Sequence, residues 1–210
     1  MHNKIIKYSK NNIELLKESL VNGEVIAVPT DTVYGLVANA YNEKAVNKIF
    51  QIKSRPKKLP LIIFVASLAD AKKIGYFSKR EELIAKAFWP GDLTLVVKKK
   101  NKKIFYGHNL LATVGIRIPK HKALLTLLKE INIPLASTSA NVHGGKIQKN
   151  IDKLEILGKK NLSYALTSMH KIEGNESTIV SLENDKVKII RKGRIGKKII
   201  EKLLKHPQKH

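Results

Sequence analysis

The chain has 210 residues and no cysteine, with 40 Lys and Arg against 17 Asp and Glu, a formal charge of +23. Zero cysteines exclude disulfides, thiolate nucleophiles and Cys-type zinc sites, and a hydrophobic content of 43% excludes a globally disordered chain. The first residues lack the apolar stretch of a secretory signal, and the longest apolar run, residues 61–66, is too short to cross a bilayer, so a cytoplasmic protein without membrane contact is expected.

In chain order, Ile13, Leu16 and Leu20 share one face of a predicted helix over 12–20 that Gly23 ends. Residues 24–29 (EVIAVP) read as a short strand buried on both faces. Asn42 caps a helix over 43–52 whose inner face carries Ala45, Val46, Ile49 and Phe50. A second buried strand covers 61–66. Ser78 and Glu81 form a capping box that opens a helix running to Phe88, where Pro90 and Gly91 stop it. A strand at 93–97 precedes a lysine-rich loop at 98–103. Then come a strand at 113–118, a helix at 122–130 and a strand at 133–137. Residues 152–157 suggest a short helix. Strands at 177–182 and 186–191 flank a Glu183-Asn184-Asp185 turn as a hairpin. Residues 197–205 form a basic amphipathic helix. Alternating helices and strands plus a hairpin predict an α/β fold with a mixed sheet, and neither repeat nor linker divides it. A single domain over 1–210 is expected, with its core at about 12–193.

The charge has two components. Thirty-five of the 40 basic residues are lysines spread along the chain, a general bias that attracts polyanions without specifying one. The five arginines, at 55, 80, 117, 191 and 194, are the scarcer signal, because a planar guanidinium fork suits phosphate and carboxylate. Phosphate-loop, dinucleotide-binding, nucleophile-elbow and zinc-protease motifs are all missing, and the seven histidines show no metal-ligand spacing; His143, near a glycine loop, reads as a loop histidine.

Four stretches carry polar groups where strands end. PTDTVYGL (29–36) presents two hydroxyls and a carboxylate after a buried strand, against the alternative of a Thr/Asp turn capping the next helix. In Lys53-Ser54-Arg55-Pro56, two cations can converge on one polyanion if the backbone is extended, as Pro56 favours, against the alternative of a solvated helix end. Ser137-Thr138-Ser139-Ala140-Asn141 places three hydroxyls and an amide after an apolar strand, where small-molecule sites of α/β sheets form, against the alternative of a polar turn. Finally, Thr113, Arg117, Ser177 and Arg191 interrupt or end apolar strands, and an arginine so placed needs an anionic partner.

Taken in order, PTDTVYGL, KSRPKKLPLIIFV, FWPGDLTLV, TVGIRIPKH, PLASTSAN, ESTIV and IIRKG resemble the YrdC-like (TsaC-type) threonylcarbamoyl-AMP synthases over about residues 23–193. The resemblance implies a twisted mixed α/β sheet flanked by helices, with a concave basic face. It also implies condensation of L-threonine, bicarbonate and ATP, with Mg²⁺ carried by the ATP phosphates. The products are threonylcarbamoyl-AMP, which a separate transferase complex uses to modify tRNA, and pyrophosphate. On the matching positions, Lys53, Arg55, Ser139 and Asn141 would be catalytic. Lys53, Arg55, Thr113, Ser139 and Arg191 would bind ATP; Thr32, Arg117, Ser137 and Ser177 would bind threonine; no side chain would ligate metal directly. The pattern departs at Leu59 (often Asn), Phe64 (often His) and Glu176 (often Pro). Two other functions fit the chain: a non-catalytic double-stranded RNA or tRNA binder using the same basic cleft, and a related carbamoyl-adenylate pathway such as hydrogenase maturation. For the second, the longer chains and zinc fingers usual there are absent. A length of 210 matches the catalytic domain without the extra C-terminal domain of longer relatives.

Overall fold

The computed structural model describes residues 4–107, 111–142, 144–146, 149–154, 156–157, 162–168, 172 and 174–205. Its strands and helices are β1 (Lys4–Ile6), α1 (Lys10–Val21), β2 (Val25–Val28), β3 (Gly35–Asn39), α2 (Glu43–Lys53), β4 (Ile62–Phe64), α3 (Leu68–Ile74), β5 (Gly75–Tyr76), α4 (Lys79–Phe88), β6 (Leu93–Lys99), β7 (Thr113–Arg117), α5 (Lys122–Ile131), β8 (Leu135–Ser139), β9 (Leu162–Leu166), β10 (Thr178–Glu183), β11 (Lys186–Arg191) and α6 (Lys197–Lys205). The strands form one mixed sheet in the order β1-β9-β2-β3-β8-β4-β7-β6-β10-β11, with β5 attached to β6. Pairings β1–β9, β2–β9, β4–β7 and β6–β10 are parallel and the rest antiparallel.

Burial on both faces explains the missing alternation in EVIAVP. Val25 and Ala27 enter the core beneath α2, α3, α4 and α6, whereas Ile26 and Val28 enter a second core under α1 and α5. The basic helix α6 buries Ile200 and Leu204 against the first core, while Ile199 stays exposed and the lysines face outward.

Several expectations change. PTDTVYGL leads into strand β3, not a helix. The Thr30 hydroxyl accepts from the backbone N–H groups of Thr32 and Val33 (both 3.0 Å) and donates to the Val33 carbonyl (2.6 Å), closing the turn on itself. The strand expected at 133–137 runs from Leu135 to Ser139, because Asn132 ends α5 in the left-handed region (φ 50°) and Pro134 has no N–H to pair. Residues 152–157 hold only a 3₁₀ turn at Ile151–Lys153, with Glu155 outside the described residues, as is His143. The lysine-rich loop begins later than expected, after Lys99. β1, α3, β5 and β9 were not anticipated. Ser9 caps α1 from its side chain to the Asn12 N–H (3.1 Å), moving that helix's start back to Lys10. The hairpin is confirmed, but Glu183 pairs with Lys186 in the strand, so the turn shortens to Asn184 and Asp185, both at positive φ.

Candidate functional site

The two-residue shift in β8 has a direct consequence. Ser137 and Ser139 now lie on one side of the same strand, opposite Val37 and Gly35 of β3, and Ile62 of β4 pairs with Ser137. On this sheet face, α1 and α5 cover one part and leave a cleft of about 110 Å³ over the rest. Gly35 keeps it open: a Cβ there would stand 3.2 Å from the Ser137 hydroxyl.

Three arginines line this cleft: Arg55, Arg117 and Arg191. Arg117, at the end of β7, is 3% exposed and held on three sides. Its Nε donates to the Gly91 carbonyl (2.8 Å), Nη1 to the Thr32 hydroxyl (2.9 Å) and Nη2 to Asp31 (2.6 Å). The guanidinium also lies 5.9 Å from the centre of the Phe64 ring. Burial pulls its pKa down and Asp31 pushes it back up. The FWPGD segment acquires a purpose here, since the Trp89 indole donates to the Leu93 carbonyl (2.7 Å) and fixes the turn that presents Gly91.

Arg191, at the end of β11, meets the segment before β10. Its Nε and Nη2 donate to the Ser177 carbonyl (3.2 and 3.0 Å), Nη2 also to the Ser177 hydroxyl (3.0 Å), and Nη1 to Glu176 (2.7 Å). That hydroxyl is also 2.9 Å from the Thr94 hydroxyl. Gly193 lets the chain pass this close: a Cβ would fall 2.6 Å from the Glu176 carbonyl.

The K-x-R pair does not act as an extended two-cation clamp. Ser54 turns left-handed (φ 51°), the Ser54 N–H bonds to the Gln51 carbonyl and that of Arg55 to Phe50, which closes α2 in a Schellman turn. The two side chains diverge. Arg55 lines the cleft, its guanidinium held by the Leu59 and Pro60 carbonyls (3.1 and 3.3 Å), so Leu59 contributes only backbone there. Lys53 is buried behind the β8 end, where its ammonium donates to the carbonyls of Ser139 and Asn141 and to Asn141 Oδ1 (3.1 Å). Asn141 in turn accepts from the Ser139 hydroxyl (2.6 Å) and donates to the Gly145 carbonyl (2.6 Å). Burial and the neighbouring Arg55 push the Lys53 pKa down to about 8, against a small upward pull from Glu176.

Of the site residues expected from the sequence, Thr32, Arg55, Arg117, Ser137, Ser139, Ser177 and Arg191 line one cleft. Lys53 and Asn141 are knit together beside it. Thr113 stands apart: it is exposed at the far end of β7, its backbone carbonyl accepting from the Tyr106 hydroxyl (2.6 Å). Asp31, Glu176 and Phe64 were not carried into the site from the sequence. The signal for Asp31 was present in PTDTVYGL, but its partner lies 86 residues away.

The Sua5/YciO/YrdC family model, described as telomere recombination, matches residues 18–193. A putative threonylcarbamoyl-AMP synthase from Methanocaldococcus jannaschii is 35% identical, over 93% of this chain and 95% of its own length. The threonylcarbamoyl-AMP synthase of Bacillus subtilis is 34% identical over 90% of this chain, which spans only 54% of that relative. Among solved structures, P. abyssi Sua5 complexed with L-threonine superposes with a TM-score of 0.87 at 32% identity, covering 96% of this chain and 61% of that one. E. coli YciO, at 18% identity, shares the fold (TM-score 0.80; 91% of this chain, 96% of that one). With the sheet order, the arginine-lined cleft and a family match spanning most of the sequence in agreement, the chain belongs to the Sua5/YciO/YrdC family.

Proposed function

We propose that this protein is a threonylcarbamoyl-AMP synthase acting as one catalytic unit over residues 1–210. The observation that carries the reading is the convergence of Arg55, Arg117 and Arg191 with the hydroxyls of Thr32, Ser137, Ser139 and Ser177 on one small cleft. That arrangement serves a reaction in which one anion must attack another. The threonine amine adds to bicarbonate with loss of water, giving an N-carboxylate. A carboxylate oxygen then attacks the α-phosphorus of ATP, and the bond to pyrophosphate breaks. No side-chain nucleophile is needed. The protein's task is to bring the two anions together and to stabilise charge that builds on the phosphate oxygens.

The buried end of the cleft takes threonine. The fork of Arg117 receives its α-carboxylate, with Thr32, Ser137 and Ser177 offering hydroxyls to the remaining polar groups. The L-threonine bound to the P. abyssi relative supports this substrate. Arg55, Arg191 and Ser139 hold the phosphates at the open end, from which the nucleotide extends toward Thr113. Lys53 works from behind: it fixes the Ser139–Asn141 segment and adds a positive charge beneath it. Mg²⁺ enters as part of the nucleotide substrate. Glu176, the sole carboxylate lining the cleft among the described residues, is already paired with Arg191.

The product is consumed by a transferase that modifies tRNA, and the reaction belongs in the cytoplasm. Among the described residues no helix is long and apolar enough to cross a membrane. The test is pyrophosphate release from ATP, expected only when threonine and bicarbonate are both present. Release indifferent to threonine would overturn the assignment.

A further inference from the structure

An anion site that carries its own carboxylate calls for an explanation. Glu176 lies at the open end of the cleft beside Arg191, and both side chains are 32% exposed. It is not needed to aim the arginine. The Ser177 carbonyl already takes Nε and Nη2, and the Ser177 hydroxyl takes Nη2 again, so backbone and strand hold the guanidinium plane. Glu176 takes only Nη1, and both residues line the cleft. The main chain at 176–178 is pinned, with the Thr178 N–H bonded to the Asp92 carbonyl (2.9 Å) and the 193 loop packed on the Glu176 carbonyl. A half-exposed glutamate side chain on a pinned backbone can change rotamer without disturbing the arginine.

We propose that Glu176 is the cleft's internal counter-anion, competing with the phosphates of the nucleotide and of pyrophosphate for Arg191. In the empty cleft it neutralises a cluster of cations that would otherwise repel one another. When a polyphosphate arrives, the carboxylate swings away and the phosphate takes over Nη1. Because the carboxylate stays nearby, it weakens the grip on pyrophosphate and favours release. Its influence reaches beyond Arg191, since it also pushes up the pKa values of Lys53 and Arg55.

The proposal rests on the synthase reading, but its test does not require turnover. Inorganic pyrophosphate is titrated calorimetrically into the wild type, Glu176→Gln and Glu176→Ala without Mg²⁺. Both variants are expected to bind about tenfold more tightly, a gap of about 1.4 kcal/mol. The gap should narrow as salt rises. Each variant's melting temperature should rise more on adding pyrophosphate than the wild type's does. Equal affinity in all three proteins overturns the proposal. So does weaker binding in Glu176→Ala with Glu176→Gln unchanged, the pattern of a glutamate that only props Arg191. Failure of threonine-dependent pyrophosphate release in the wild type would instead sink the synthase reading and leave this comparison readable.

Discussion

Arg117 and Arg191 both line the cleft and both hold a carboxylate at hydrogen-bond distance, yet one pair is buried and the other half open. Arg117 and Asp31 are 3% and 17% exposed, against 32% for each partner of the Arg191–Glu176 pair. A charge without water is costly unless every lone pair and donor around it is met. At Arg117 a carbonyl, a hydroxyl and a carboxylate drawn from two distant segments meet it. That end is therefore preorganised, suited to a small rigid substrate. At Arg191 both partners are about a third exposed, so solvent screens the ion pair, and in the proposal above an incoming anion exchanges with the carboxylate. That end is suited to a polyphosphate that must enter and a pyrophosphate that must leave.

Breaking the buried pair should have the largest effect. Arg117→Ala leaves Asp31 without its cation and should lower stability by about 3–5 kcal/mol in urea unfolding. Asp31→Ala should be comparable, and the double variant should cost less than the sum, because neither charge is then stranded. At the open end, Glu176→Ala should leave stability without added anion within about 1 kcal/mol of the wild type. Equal losses at the two ends would mean that exposure does not separate them.

Next come the two cations of K-x-R. Arg55→Ala should reduce kcat/KM by about 10²–10³-fold with the melting temperature little changed, since the lost groups face the cleft. Lys53→Ala should lose activity and stability together. It removes the ammonium from the Ser139 and Asn141 carbonyls, at about 1–3 kcal/mol for each buried group left unsatisfied, while Asn141 Oδ1 keeps the Ser139 hydroxyl. A stable, inactive Lys53→Ala would place the ammonium on substrate instead.

The K-x-R pair also shows where the sequence was legible. Both residues were identifiable, because a Lys-x-Arg before proline is a local signal. Their divergence was not, because it depends on a left-handed serine and on acceptors 86 and 88 residues away. The same division runs through the fold. The longer helices with apolar faces, and strands buried on both sides, were readable, whereas the seven-residue α3 was not, despite its Ser67 cap. β3 was hidden behind a turn whose hydroxyl chemistry equally suits a helix cap, and β9 exists through its parallel partners β1 and β2, which no local pattern announces. Glu176 was visible only as a departure from a family pattern; its meaning required Arg191 beside it.

Lysine 53 gives a pH test with two opposed readouts. Its folded pKa of about 8 lies below the ordinary 10.5, so between these values the unfolded chain binds more protons than the folded one. Stability should therefore rise with pH across that window relative to Lys53→Met. Activity should fall over the same range as the ammonium loses its charge, and Lys53→Arg should lack that limb, because a guanidinium keeps its proton. Activity and stability falling together above pH 8 would remove Lys53 as the titrating group.

The smallest effect is expected at Thr113, and it measures how far the open end reaches. Thr113 is exposed on β7, four residues before Arg117, outside the cleft that the other residues line. Four residues of strand span about 13 Å, beyond a threonine molecule but within a nucleotide's length. Thr113→Val keeps the side chain's shape and removes one neutral hydrogen bond. It should raise the KM for ATP by about fivefold at most, the worth of about 1 kcal/mol, while leaving the KM for threonine unchanged. A shift in the threonine KM would place the amino acid at the open end and reverse the assignment of the two arginines. With neither constant changed, the nucleotide would have to leave the cleft along another side, past Arg55 and the Leu59–Pro60 carbonyls.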